Sequence, residues 1–129
     1  MANRYFYEFL SMFEKRPVII WGNVSIGATG APTLNANSRG IKSVVRTGVG
    51  AYTITLEDGY TKLLNICCRI ISATGTDAAV NMLVAADNSA AAPPTITVTF
   101  NVAAGTATEL SNGAKLLFEI KLRNSSAPV

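Results

Sequence analysis

The segment TITVTFNV, residues 95–102, alternates apolar and polar side chains at every position. Because successive side chains of a β-strand point to opposite faces, this pattern predicts a strand with one buried face and one solvated face. Threonine suits the solvated face, since its branched side chain packs well on a pleated sheet. The same two-residue period recurs at residues 51–57, AYTITLE, and at residues 114–123, AKLLFEIKLR. Together the three segments predict antiparallel sheets.

Four other apolar segments predict further strands: residues 17–26, 41–47, 65–73 and 79–86. Of these, residues 65–73 form the most apolar run, so we expect that segment at the centre of a sheet. Gly22 and Asn23 indicate a bulge in the first strand. With about seven or eight strands separated by turns, the sequence predicts an all-β fold, an antiparallel β-sandwich or jelly-roll-like body.

The predicted connections follow from local turn signals. Asn112-Gly113 favours a primed turn, which predicts a hairpin between residues 106–110 and the last strand. Gly48-Val49-Gly50 predicts a tight turn between two earlier strands. Residues 60–64 are expected to form a short turn of helix. Residues 27–40 combine glycines, a proline and small polar residues, and they predict a long loop.

The aromatic side chains are concentrated at the N-terminus, where six of the ten Phe, Tyr and Trp residues fall within the first 21 positions. Within residues 3–16, apolar side chains follow the i, i+3, i+4, i+7 spacing of an amphipathic helix, ended by Pro17. Three interpretations stay open for this helical or extended arm. It packs on its own domain, docks on another chain or lies on a membrane surface. The predicted organisation is therefore an N-terminal arm, residues 1–26 (helix plus first strand), a loop, residues 27–40, and a β-sandwich body, residues 41–129.

The composition excludes the commonest catalytic machinery. The chain has no histidine, which excludes a Ser-His-Asp or Cys-His relay and any histidine-based zinc site. Glu57 and Asp58 are adjacent, so in a strand their carboxyl groups diverge rather than face each other across a substrate. Cys67 and Cys68 fit buried thiols better than a nucleophile. We therefore expect a protein that is not an enzyme and has no cofactor or metal.

The charge pattern also argues against two classes of partner. Eleven basic and eight acidic residues give a net charge of +3, without the concentrated basic stripe that nucleic-acid binders show. No apolar run reaches the roughly 20 residues of a membrane-spanning helix. Neither nucleic acid nor a membrane is therefore an expected partner.

From Trp21 to Leu64 the chain combines several motifs in a fixed order. They are GATGAPTL at residues 27–34, GI at residues 40–41, SVVRTGVGAYTITL at residues 43–56, then Tyr60 and Leu63-Leu64. This order resembles a module of the capsid decoration (cement) proteins of tailed bacteriophages. The matching positions are turn and strand residues and span about a third of the chain.

The resemblance implies a structural virion protein that binds the outer capsid surface and clamps neighbouring major capsid protein subunits. It further implies a homo-oligomer, with a trimer favoured, made in the host cytoplasm and located on the capsid surface. Aromatic anchors near the N-terminus and cations in or near the long loop then become the partner-contact candidates. These are Tyr5, Phe6, Phe9, Phe13, Trp21, Arg39, Lys42 and Arg46. The alternative is a head-fibre, tail or host-surface module that binds a glycan or receptor.

Overall fold

The computed structural model describes residues 17–75, 77, 79–102 and 105–123. In this part of the chain, eight strands form two antiparallel four-stranded sheets, and the predicted all-β sandwich is confirmed. The strands are β1 (Pro17–Ile26), β2 (Pro32–Leu34), β3 (Ile41–Gly48), β4 (Ala51–Leu56), β5 (Lys62–Ile71), β6 (Asn81–Asn88), β7 (Thr95–Asn101) and β8 (Lys115–Arg123). The predicted helix of residues 3–16, and with it Tyr5, Phe6, Phe9 and Phe13, lies outside the described residues.

Sheet A has the strand order β2-β1-β8-β5, and sheet B has the order β3-β4-β7-β6. The first and last described strands lie side by side, from Pro17 opposite Arg123 to Ser25 opposite Lys115. The chain crosses between the sheets after β2, β4, β5 and β7. Each sheet therefore contains strands from both halves of the chain, and neither sheet forms without the other.

The core lies between the two sheets and is built by the inner faces of the central strands. Alternate residues of β4, β7 and β8 are buried, as the two-residue period predicted. Tyr52 and Phe100 meet edge to face in this core, with ring centroids 5.8 Å apart at an interplanar angle of 74°. Since a fully buried Leu, Ile, Val or Phe side chain stabilises a fold by about 1.5–3 kcal/mol, this layer supplies most of the driving force.

Strand β1 belongs to the sandwich, so the body begins before residue 41. It pairs with β8 and β2, and Val24 and Ile26 are buried in the core. The predicted bulge at Gly22 is wrong, because the β1–β8 register is continuous there. A Cβ at that position would overlap the Cδ1 atom of Ile41 on the facing sheet, so the Ile41 side chain would have to shift to admit one.

The prediction that residues 65–73 form a central strand is wrong. Residues 65–71 belong to β5, which is the edge strand of sheet A, and residues 72 and 73 follow its end. The predicted short helical turn at residues 60–64 is wrong as well, because the N–H of Thr61 donates to the Arg123 carbonyl and β5 begins at Lys62. The long apolar run arises because β5 presents hydrophobic side chains on both of its faces, among them exposed Leu64 and Ile71.

The hairpin predicted around Asn112-Gly113 also does not form. The chain does turn there, with Gly113 at φ +88° and its N–H donating to the Ile26 carbonyl. The preceding segment forms only an isolated bridge between Asn101 and Ala107, because β1 and β5 occupy both sides of β8. The turn therefore delivers β8 into the centre of sheet A.

The turn between β3 and β4 generates a stability prediction. Gly50 has a φ of +61°, and a Cβ there would lie 2.8 Å from the Phe100 carbonyl oxygen and closer still to that of Thr108. Both obstacles are backbone atoms, which cannot move aside as a flexible side chain can. We expect Gly50→Ala to lower the free energy of unfolding by about 3 kcal/mol in urea titrations.

Gly59→Ala is the matched control, because no heavy atom lies within 4 Å of the added Cβ at that position. We expect it to change the free energy of unfolding by less than about 0.5 kcal/mol. Equal effects of the two substitutions would contradict the described packing of the turn on residues 100 and 108.

Candidate functional site: the outer face around Trp21

The outer face of sheet A carries large apolar side chains that the core does not use. Ile19 and Trp21 on β1 are 48% and 50% exposed, and Leu117 on β8 is 38% exposed. The register places Trp21 opposite Glu119, and Glu119 opposite Cys67 of β5. We call the outward-facing side of β1, β8 and β5 around these residues the Trp21 face. Exposed tryptophan on a rigid sheet is typical of an interface anchor.

Two shallow depressions flank the indole ring. One, of about 570 Å³, is lined among the described residues by Pro17, Val18, Ile19 and Trp21. The other, of about 400 Å³, is lined by Trp21, Cys67, Arg69, Leu117, Phe118 and Glu119. Trp21 thus lines both hollows, and a partner's side chains can contact the indole from either one.

The position of Trp21 is held by the loop that follows β2. Its indole Nε1–H donates to the Asn37 carbonyl over 3.1 Å. Its backbone N–H donates to the Arg39 carbonyl over 3.2 Å, and the Arg39 N–H donates back over 2.8 Å. Because the ring is already hydrogen-bonded on its polar edge, a partner that covers its apolar face has little side-chain entropy left to remove.

A polar network fixes the same loop to β1. The Asn35 side-chain amide donates to Asn23 Oδ1 over 2.9 Å and to the Ser25 hydroxyl over 3.1 Å. The Ser38 hydroxyl accepts the Asn23 backbone N–H over 3.0 Å. Residues 35–39 therefore form a structured border of the Trp21 face.

The charges that surround the apolar centre are mostly positive. The outward positions of β5 and β8 carry Lys62, Arg69, Lys115, Lys121 and Arg123, against Glu119. Glu119 lies 3.6 Å from Lys121, and both side chains are about half exposed, so solvent screens this pair strongly. A basic rim around an apolar centre favours a partner surface with acidic groups.

The three basic residues predicted to contact a partner, Arg39, Lys42 and Arg46, lie in different parts of the structure. Arg39 borders Trp21 through the backbone bridge, and its side chain is exposed. Lys42 is exposed on β3, in the other sheet. The Arg46 guanidinium is paired with Glu109 of its own chain, with Nε donating over 2.9 Å. The structure thus brings only Arg39 to Trp21.

The pair of Arg46 and Glu109 connects the loop at residues 27–31 to the body. This pairing raises the pKa of Arg46, chiefly through the hydrogen bond to Glu109. Glu109 Oε2 is buried against Gly30 and has no hydrogen-bond partner among the described residues. The Tyr52 hydroxyl donates to the Gly30 carbonyl over 2.9 Å from inside the core. We attribute a structural role to Arg46 on these contacts.

Sequence reasoning missed Ile19, Leu117 and Arg69 as members of this face. A signal for Leu117 was present, because Leu116 and Leu117 are adjacent in a strand and only one of them can face the core. Ile19 follows the same rule beside Ile20. Arg69 had no such signal, since its place depends on the pairing of β5 with β8.

Other chemistry in the described residues is limited. They include no group of three or more Cys, Asp or Glu side chains placed to hold a metal ion. Among them there is also no helix long and apolar enough to cross a membrane. Cys67 is exposed, whereas burial raises the pKa of the Cys68 thiol to about 12.

Comparison of the chain with protein-family models, with curated proteins and with solved structures finds no match. A function is therefore inferred from the residues of the Trp21 face and from the motifs between Trp21 and Leu64.

The hydrogen bond from Tyr52 to Gly30 generates a prediction with a pH signature. Burial raises the pKa of Tyr52 from 10.0 to about 12, so the folded chain keeps a proton that the unfolded chain loses as the pH passes 10. The free energy of unfolding contributed by this group is constant below pH 10 and falls between pH 10 and 12.

Urea titrations of the native chain and of Tyr52→Phe across this range test both effects. At neutral pH the variant should lose about 1 kcal/mol, because the Gly30 carbonyl loses its buried donor. Its stability should then fall less steeply above pH 10 than that of the native chain. Parallel declines would show that Tyr52 ionises as freely in the fold as outside it.

Proposed function

We propose that this chain is a structural protein of a tailed-bacteriophage virion. In this proposal it binds the outer capsid surface and clamps neighbouring major capsid protein subunits, and it is not an enzyme. The resemblance of the segment from Trp21 to Leu64 to decoration proteins supports the proposal. The observation that carries it is the Trp21 face, a pre-organised apolar surface with a basic rim on an otherwise rigid sheet.

The physical requirements of such a protein fit this face. A clamp works by adding buried area between subunits, and aromatic side chains contribute most of the energy of such contacts. Trp21 lies on β1, beside Glu119 of β8, and is held by Asn37 and Arg39, so it contacts a partner without rearrangement. The basic rim of β5 and β8 adds long-range attraction to an acidic capsid surface.

The N-terminal segment extends the same surface in this proposal. Residue 17 begins β1 and lies on the edge of the hollow beside Ile19 and Trp21. The aromatic residues Tyr5, Phe6, Phe9 and Phe13 precede it in the sequence. They therefore stay partner-contact candidates, as additional anchors reaching the capsid next to Trp21.

Co-sedimentation with capsids that lack this protein tests the proposal. We expect Trp21→Ala to weaken capsid binding about 30-fold, as loss of a central tryptophan anchor does at other interfaces. Val45→Ala is the matched control, because Val45 is 54% exposed on the outer face of sheet B. Equal binding by both variants would contradict the assignment of the Trp21 face.

The rim predicts a salt dependence. Binding should weaken as the salt concentration rises, because exposed charges are screened. Arg69→Gln should reduce this dependence, since it removes one cation beside the hollow that Trp21 and Leu117 line. Identical salt profiles for the native chain and this variant would exclude the rim of β5 from the contact.

A glycan- or receptor-binding module of a fibre or tail is the second candidate. The hollow lined by Trp21, Arg69 and Glu119 combines an aromatic ring with charged hydrogen-bonding groups, which is a suitable composition for a sugar. Selective binding on a glycan array, lost in Trp21→Ala and without capsid association, would favour this candidate over a decoration protein.

A further inference from the structure

One long side of the sandwich is poorly covered. It lies between β5, the edge of sheet A, and β6, the edge of sheet B. Inner-face side chains along this side are only half-buried, whereas those of the central strands are buried. They are Leu63, Ile66, Cys68 and Ile70 on β5, and Met82 and Val84 on β6. We call this side the open seam.

The opposite side of the sandwich is closed differently. There β3 is the edge of sheet B, and its inner residues Ile41 and Val44 are buried at 4% and 8% exposure. On that side Leu34 of β2 is half-buried as well, so the incomplete coverage is concentrated on β5 and β6 but not confined to them. The apolar side chains of the open seam gain burial only from something outside the described fold.

The two strands at the seam run in opposite directions. The Tyr60 N–H donates to the Ser89 carbonyl over 3.0 Å, which places the start of β5 beside the end of β6. Each strand has one hydrogen-bonded neighbour, β8 for β5 and β7 for β6. Their other backbone edges have no strand partner among the described residues, and such edges can accept a further strand.

The charges on the two edges are complementary. Strand β5 carries Lys62 and Arg69 and no acidic residue. Strand β6 carries Asp87 and no basic residue. Pairing β5 with another β5 would bring cations together, whereas pairing β5 with β6 brings opposite charges together.

We propose that a second copy of this chain closes the open seam across a two-fold axis running along the seam. The rotation places β5 of each copy beside β6 of the other, in antiparallel pairing. Each four-stranded sheet then continues into the opposite sheet of the second copy as a sheet of eight strands. The half-buried side chains of both copies meet between these sheets.

A second copy covers the open seam more completely than a single strand from another protein does. A single added strand covers one backbone edge, but a second copy covers both edges and supplies the missing inner-face contacts at the same time. Bulges interrupt β5 near Leu64 and β6 near Ala85, at the same end of the seam. Regular pairing is therefore expected at the other end, between residues 66–69 and residues 81–84. This inference concerns the free chain in solution and does not rest on the proposed function. The two-fold axis turns the Trp21 faces of the two copies to opposite sides, so a pair contacts a capsid through the Trp21 face of one copy.

An engineered disulfide tests the pairing directly. Counted from Tyr60 and Ser89, Cys67 and Leu83 lie at about the same level, and both side chains are exposed on outer faces. Within one chain they lie on opposite sides of the sandwich, beyond the roughly 7 Å Cα separation that a disulfide can bridge. Across the proposed axis they become neighbours on adjacent strands.

We expect the Leu83→Cys chain, after mild oxidation, to migrate mainly as a covalent dimer on a non-reducing gel. Val45→Cys is the matched control on β3, far from the seam, and it should remain a monomer, as should the native chain. A monomeric Leu83→Cys chain would overturn the proposal. A covalent dimer of the native chain through Cys67 would overturn it too, because that bond requires β5 beside β5.

The mass in solution provides a second, independent measurement. Light scattering should give twice the 13.6 kDa of one chain for the native protein. Met82→Lys should give a single-chain mass, because it puts a charge into the closed seam, and Val45→Lys, on the outer face of β3 and far from the seam, should keep the double mass. Circular dichroism confirms that each variant is folded. A native mass of one or three chains, or a double mass for folded Met82→Lys, would contradict the proposal.

Discussion

The fold depends on the burial of interleaved side chains between β1 and β8 on one side and β4 and β7 on the other. These four strands occupy the central positions of their sheets, and their inner residues are almost completely buried. Because the chain crosses repeatedly between the sheets, this layer cannot form piecewise. Glycine at position 50 follows from it, since the adjoining backbone leaves no room for a Cβ, and a Cβ at position 22 would displace the Ile41 side chain of the facing sheet.

The same constraint explains why functional surfaces lie where they do. A sandwich uses one face of each sheet for its core, so large apolar residues on an outer face contribute nothing to that core. Trp21 and Ile19 are therefore available for contact. The loop after β2 orients the indole by accepting its Nε1–H at the Asn37 carbonyl. The open seam has a different origin, since two edge strands stop short of covering their own inner side chains.

Sequence patterns predicted the parts of the fold that depend on local alternation. Strands β4, β7 and β8 follow the two-residue period, and their inward and outward residues agree with the structure. The pairing of strands that are distant in the sequence was harder to predict from these local patterns. The turn at Gly113 is a correct local signal, but nothing nearby indicates that β8 inserts between β1 and β5.

In the candidate site, too, local sequence features were predicted correctly and contacts between distant residues were not. Trp21 stood out through the aromatic concentration near the N-terminus, and the structure exposes it on the outer face of sheet A. Arg46 looked available for a partner because its carboxylate, Glu109, is 63 residues away in the sequence. The apolar run of β5 suggested a buried central strand, whereas the structure places β5 at the edge of sheet A with apolar side chains on both faces.

The central claim is that the Trp21 face is the surface by which this chain attaches to a capsid. A cryo-electron microscopy reconstruction of the virion that carries the chain tests it most directly. The account predicts density for the sandwich on the outer capsid surface, with β1, β8 and β5 facing the major capsid protein and Trp21 in the contact. Density in which no copy has its Trp21 face against the capsid, or density that places the chain on a tail or fibre, would contradict it.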